Sequence, residues 1–331
     1  MTLYLHGFGH FHPENEITNR FLEDLDIGTN EQWILERVGI RSRRTALPLE
    51  YIRQTRNRDT RAALEAALYT HAETGRRAAE LALARAGVAK SEIGMVIAGS
   101  SVMDMATPAE ACSIARALEV EAPAFDINSA CTSFFAGLYV LSLMQPERLP
   151  AFVLLVAPEA ITRAVDYTDR SSAVLWGDGT VAAVLSTQVP SRARILSNAL
   201  ASSPAGAGKI VVPRVGHFRQ DGRQVQMFAI KKTVLLLKQL QEQHQQEGRT
   251  LHFVGHQANL RMLESVCRQC HVPPERHHKN VEWFGNTGGA SAASVISMSW
   301  ERWTDTDDIA VVGVGAGLTW SNYLLRFGAE A

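Results

Sequence analysis

The sequence predicts an α/β fold built from two similar halves, and two observations carry that reading. Short β-rich runs alternate with longer stretches of helical periodicity, the pattern of strands and helices that share a sheet. The same order of elements also occurs twice. In the first half a helix ending near Ala86 leads into GMVIAG, then PAFDINSA, an apolar helix starting at Cys131, and AFVLLV. In the second, a helix ending near Gln245 leads into LHFVG, then VEWFGNTGG, a helix rich in Ala and Ser, and IAVVGVGAG. Residues 1–188 make the first half and 189–331 the second. Cys131 and Asn286 then occupy equivalent strand-to-helix turns, facing one another across a pseudo-twofold axis.

The runs place strands at Leu3–Gly9, Gly94–Gly99, Ala124–Ile127, Ala151–Val156 and Ala173–Leu175 with Val181–Leu185. Further strands are expected at Arg194–Leu200, Leu251–Val254, Val281–Trp283 and Ile309–Val314. Helical periodicity covers Asn30–Val38, Ala72–Ala86, Pro108–Leu118 and Cys131–Gln145. It returns at Phe228–Gln245, Arg261–Cys270 and Gly288–Trp303. One charged segment, Thr45–Thr70, stands outside this pattern as an insertion with a helical second part. It reads either as a solvated surface excursion or as a lid or dimer-wrapping flap near a substrate entrance.

Composition narrows the function. The chain has 331 residues, 46% of them apolar, enough for a sizeable core. Its 33 Lys+Arg against 34 Asp+Glu give a formal charge of -1, which exerts no global pull on nucleic acid or anionic membrane. The N-terminus MTLYLHGFGHFHPENE lacks a basic n-region and a long apolar stretch, and no apolar run reaches spanning length. A soluble cytoplasmic protein is expected. Its four cysteines are then expected to be reduced thiols.

Four segments carry chemistry. In DINSACTSFFAGLYVLSLM, small residues precede Cys131 at the start of a helix. Unpaired N–H groups and the positive dipole end there favour a thiolate, so a lowered thiol pKa is expected. In VGHQANLRM, His256 follows a strand directly and is aimed by a polar turn. In FGNTGGASAAS, Asn286 offers an amide donor among glycines that permit close approach. In VVGVGAGLTW, a tight turn after a buried strand presents backbone N–H groups suited to an oxyanion.

With NEQWILERVGIRSR, PAFDINSACTSF, TDRSSAVLWGDGTVAAVL, VGHQANLRM, WFGNTGGASA and GAGLTW, almost the whole chain resembles β-ketoacyl-acyl-carrier-protein synthase III of the thiolase superfamily. The resemblance implies a thiolase fold, with duplicated βαβαβ halves in a five-layer αβαβα sandwich. It implies that Cys131 accepts an acyl group from a coenzyme A thioester. A malonyl thioester, on acyl carrier protein, then loses carbon dioxide and condenses with it. His256 and Asn286 would stabilise the enolate, and the N–H groups of Cys131 and Ala316 the tetrahedral oxyanions. Trp33 and Arg170 match the pair that sandwiches the adenine of coenzyme A, and Arg37 a residue near its phosphates. Arg261, with Arg223 nearby, matches carrier-protein docking. A homodimer is implied, with no cofactor beyond the coenzyme A thioester substrates and no metal.

Three departures point to a specialised member in secondary-metabolite or cofactor synthesis. Ala316 replaces the middle of three glycines. Thr107 stands where a phenylalanine restricts the acyl pocket of short-primer enzymes, so a longer primer is expected. Met227 replaces a docking lysine. Two other functions share the scaffold: acyl transfer or head-to-head joining of acyl chains, and a scaffold subunit in a heterodimer, although no catalytic residue is missing. The C-x-x-C-H run Cys267–His271, with His277 and His278, spells a haem-attachment pattern. It is read as the end of a helix.

Overall fold

The computed structural model describes residues 2–244 and 248–328. The expected helix end at Gln245 lies outside the described residues. A nine-stranded sheet dominates. Ala124–Asp126, Ile93–Ala98, Phe152–Glu159, Gly179–Ser186 and Leu3–Phe11 lie side by side in that order. Ala193–Ser202, Thr319–Phe327, Asp307–Gly315 and Thr250–Gly255 continue it. Among the described residues, the two sets pair through Leu3–Ile195 and Tyr4–Arg194.

Both sets follow one plan. Ile93–Ala98 runs parallel to Phe152–Glu159, which is antiparallel to Gly179–Ser186, itself antiparallel to Leu3–Phe11. Thr250–Gly255 runs parallel to Asp307–Gly315, which is antiparallel to Thr319–Phe327, itself antiparallel to Ala193–Ser202.

Period-two alternation along the strands sorts the apolar side chains into layers. Val153, Leu155 and Ala157 pack centrally with Phe134, Leu138 and Ile296. Their neighbours Phe152, Leu154 and Val156 pack outward with Leu83, Ala111 and Ile114. In the second set Ile309 and Val311 face the centre, while Ala310 and Val312 meet Leu237 and Leu263. Helices Ser133–Leu143 and Ser291–Met298 therefore form a middle layer. One pair of outer helices, His71–Ala86 and Glu110–Leu118, covers one side; Gly222–Gln243 and Leu260–Cys270 cover the other. This is the five-layer αβαβα arrangement of the thiolase fold. The middle helices are buried through Ser133–Leu138 and Ser291–Ser297, and SFFAGLYVLSL accordingly has no polar face. Gly9 lets an outer helix touch the sheet backbone: a Cβ there would fall 1.9 Å from the Ala78 carbonyl oxygen.

Neither of two expected strands forms: the first is a helix end with the turn after it, the second a helix. Ala173–Leu175 lies at the end of the short helix Arg170–Ala173, capped by Asp169, whose side chain accepts from the Ser171 N–H. Val281–Trp283 lies in helix Val281–Phe284. There the Gln257 Oε1 accepts both the Asn280 and Val281 N–H groups, satisfying donors that a helix start leaves open. The nine-residue strand Thr319–Phe327 was not expected. Five consecutive residues, Ser321–Leu325, are buried, so the polar–apolar alternation that marks an exposed strand is lacking.

The segment Thr45–Thr70 lies at the surface and is anchored to the body of the fold by buried residues. It holds helices Leu49–Thr55 and Thr60–Ala66 and buries Leu47, Ile52, Asn57 and Ala63. The Asn57 amide donates to the carbonyls of Arg163 and Val165, and the Gly216 N–H donates to Thr60 Oγ1. The segment thus packs against elements that roof the cavity described below.

Candidate active site

The ends of the two halves converge on a cavity of about 360 Å³ lined by Cys131, His256 and Asn286. Cys131 sits in the 3-10 turn Ala130–Thr132 that opens the middle helix Ser133–Leu143. The close approach of Gly315 completes this turn: a Cβ on Gly315 would lie 3.3 Å from the Cys131 nitrogen. Thr319 Oγ1 lies 2.8 Å from Thr132 Oγ1 and donates to the Ala316 carbonyl at 3.1 Å, tying the GAG turn to the nucleophile turn.

The expected depression of the thiol pKa is not what the environment produces. Burial, with a contribution from the Glu159 charge, pushes Cys131 up to about 12. Backbone N–H donation pulls the other way and is outweighed. The resting side chain is therefore a neutral thiol.

His256 follows strand Thr250–Gly255, and its N–H donates to the Val312 carbonyl at 2.8 Å. Its Nδ1 lies 2.6 Å from Ser291 Oγ. The other ring nitrogen, Nε2, has no protein partner among the described residues. Burial lowers the pKa to about 4, so the ring is neutral at physiological pH. Asn286 is held by its backbone between the Leu175 carbonyl (2.9 Å) and the Gly177 N–H (3.1 Å). Its Oδ1 accepts the Gly288 N–H at 3.0 Å, which leaves the Nδ2 amide without a protein partner among the described residues. Each residue thus ties one side-chain polar atom to the protein and keeps one nitrogen for a ligand.

Three supporting residues were not expected from the sequence. Gln257 is fully buried and pins the helix that leads to Asn286. Glu159 accepts from the Ser101 hydroxyl at 3.0 Å and the Gly289 N–H at 2.9 Å, clamping the turn after Asn286; burial raises its carboxyl to about 7. Arg43 is buried and donates through Nε to the Val174 carbonyl at 3.0 Å, supporting the turn that pairs with Asn286. Only the presence of polar residues beside the motifs hinted at these roles, because their partners lie tens of residues away in sequence.

Profiles of the family described as 3-oxoacyl-[acyl-carrier-protein (ACP)] synthase III match residues 125–204, and its C-terminal counterpart matches 240–327. A relative from Oceanobacillus iheyensis, a β-ketoacyl-[acyl-carrier-protein] synthase III, is 32% identical over 99% of this chain and 100% of its own length. The chain belongs to this family. It is a condensing enzyme of the acyltransferase class. The 3-oxoacyl-(acyl carrier protein) synthase III of Pseudomonas aeruginosa PAO1 superposes with a TM-score of 0.85 at 28% identity, covering 100% of both chains. The priming β-ketosynthase of the R1128 polyketide biosynthetic pathway superposes at 0.83 and 28% identity, covering 99% of this chain and 97% of its own.

The other residues expected at the site are placed less evenly. Trp33 and Arg37 line the cavity, and Arg170 stacks on the Trp33 ring at 4.9 Å. Ala316 is not among the residues lining the cavity; its neighbours Gly315 and Leu318 are. Thr107 is exposed on the loop before helix Glu110–Leu118 and lines no part of the cavity within one chain. Instead Trp176 and Phe218, edge to face at 4.7 Å, form an aromatic wall. Arg261 donates to the carbonyls of Leu35 and Glu36, and Arg223 is exposed at the start of helix Gly222–Gln243.

The loop bearing Thr107 is anchored by a buried polar cluster. His71 Nδ1 lies 3.6 Å from Asp104 and 3.4 Å from Glu110, a spacing also suited to a metal ion. The Arg163 guanidinium donates to Asp104 at 2.6 Å and lies 3.2 Å from His71 Nε2, the ring nitrogen opposite Nδ1. Cys267 and Cys270 lie on helix Leu260–Cys270, with Cys270 buried against the Val234 carbonyl.

Proposed function

We propose that this synthase loads an acyl group onto Cys131 and condenses it with a malonyl thioester, using His256 and Asn286 as the hydrogen-bond donors. The observation that carries the reading is the cavity lined by Cys131, His256 and Asn286, in which His256 Nε2 and Asn286 Nδ2 have no protein partner among the described residues. In the first step the Cys131 sulfur attacks the acyl-thioester carbonyl. The carbon–sulfur bond to coenzyme A breaks, and the thiol proton leaves with coenzyme A. Because Cys131 rests as a thiol, this proton must move as the bond forms.

In the second step the malonyl carboxylate departs as carbon dioxide. Its bonding electrons become an enolate, whose oxygen takes the two donors. The enolate carbon attacks the acyl-Cys131 carbonyl, the carbon–sulfur bond breaks, and the departing sulfur takes up a proton from solvent to return to the thiol. Preorganised donors at such an oxygen are worth roughly 2.7–4 kcal/mol each. The backbone N–H groups of Cys131 and Ala316 are assigned to the tetrahedral oxyanions. Trp33, Arg37 and Arg170 are assigned to coenzyme A, and Arg223 and Arg261 to an acyl carrier protein. We assign residues 1–188 and 189–331 as the two thiolase-like halves, a homodimer as the working form, and the cytoplasm as its location. Thr107 is assigned to the acyl pocket of the partner subunit, where its small side chain admits primers longer than acetyl.

Separate assays of loading and condensation test the roles. Cys131→Ala should abolish loading. His256→Ala and Asn286→Ala should load and fail to condense. Variants of both that condense normally would refute the assignment.

A further inference from the structure

We infer that Ser291 is a positioning residue that fixes His256 as the Nε2–H tautomer, with that proton available to the cavity. The inference rests on the reading of His256 as a hydrogen-bond donor. It follows from counting protons around one buried hydroxyl.

Ser291 opens the middle helix Ser291–Met298 and is 1% exposed. Its Oγ has two partners among the described residues: the Gln257 N–H at 3.3 Å and His256 Nδ1 at 2.6 Å. A serine hydroxyl has one proton to give and lone pairs to accept with. The Gln257 N–H can only donate, so Oγ accepts there. If His256 Nδ1 also donated to Oγ, the serine proton would be stranded without an acceptor in a buried site, an arrangement native proteins avoid. If Oγ donates to Nδ1, every group is satisfied. Nδ1 then carries no proton, and a neutral ring holds its single proton on Nε2.

The surroundings hold this arrangement in place. Gln257 cannot drift from Ser291, because its own side chain donates to the Gly255 carbonyl at 2.6 Å and accepts from Asn280 and Val281. Burial keeps the imidazole neutral, so the choice lies between two tautomers. The choice matters for chemistry. Nε2–H offers a donor to an enolate oxygen, whereas the opposite tautomer would present a lone pair to it. Ser291 touches no reacting atom and acts through His256.

Nitrogen-15 NMR of histidine-labelled protein tests the assignment, with His256→Ala identifying the ring. Wild type should show a protonated Nε2 and an unprotonated Nδ1. In Ser291→Ala the fixed pattern should give way to exchange between tautomers. Condensation should then fall about tenfold, the effect of one ordinary hydrogen bond. Acyl loading of Cys131 should stay within about twofold, since loading does not use the His256 donor on this reading. Ser291→Thr, which keeps the hydroxyl, should restore both spectrum and rate. A wild-type Nδ1–H tautomer overturns the inference, as does a Ser291→Ala variant with unchanged tautomer and condensation. If the wild-type tautomer is as stated and His256→Ala nonetheless condenses normally, the catalytic reading of His256 fails while the proton assignment stands.

Discussion

A neutral, buried His256 makes the protein sensitive to acid by an amount the structure sets. In the folded chain its pKa is lowered from 6.5 to about 4 by burial alone. The unfolded chain therefore binds a proton that the native state rejects, and stability falls as pH drops through the interval between those values. The contribution is fully present above 6.5 and is exhausted below the folded value. At about pH 5 the difference is roughly 1.5 pK units, or about 2 kcal/mol. His256→Gln removes the titrating group, and any effect of the substitution itself cancels when each protein is compared with itself at two pH values. Urea unfolding near neutrality and near pH 5 should show wild type losing about 2 kcal/mol more than His256→Gln. Equal losses in the two proteins would refute a neutral, desolvated His256. They would also weaken the tautomer argument built on it.

Other outcomes follow from the same geometry. Trp33→Ala should raise KM for acyl-coenzyme A about tenfold with kcat little changed, the signature of lost binding, as steady-state kinetics can show. Alkylation of Cys131 by iodoacetamide should still be rising at alkaline pH, because its thiol titrates at about 12 and not near 9. Gly9→Ala should destabilise the fold by at least ~3 kcal/mol in urea titration, since its Cβ would collide with backbone and not with a movable side chain.

The candidate site was legible because Cys131, His256 and Asn286 each sit in a local motif: Cys131 and His256 follow strands as expected, whereas Asn286 lies on the turn between helix Val281–Phe284 and the middle helix, not on the equivalent strand-to-helix turn the sequence suggested. The layered fold was legible for the same reason: its strands and helices recur in one order. What stayed hidden depends on distant contacts. Val281–Phe284 is a helix because Gln257, more than twenty residues earlier, satisfies its first N–H groups. The apolar run at 173–175 packs against the buried Arg43 instead of joining the sheet. Ser291 and Glu159 act across separations of 35 and 130 residues, which no local pattern encodes. The thiol expectation failed because a helix start was visible in the sequence and the burial around it was not. The expected pocket role of Thr107 finds no support within one chain, since Thr107 is exposed and lines no part of the cavity, whereas Trp176 and Phe218 do.

The central claim is that Cys131 carries the acyl group and gives it up to a carbon nucleophile. Intact-mass measurement after incubation with a panel of acyl-coenzyme A esters, followed by peptide mapping, tests this directly. The account predicts one acyl adduct per chain, on Cys131, that disappears on addition of a malonyl thioester as a β-ketoacyl product forms. An adduct on Cys112, Cys267 or Cys270, or a Cys131 adduct that the malonyl thioester leaves in place, would contradict it.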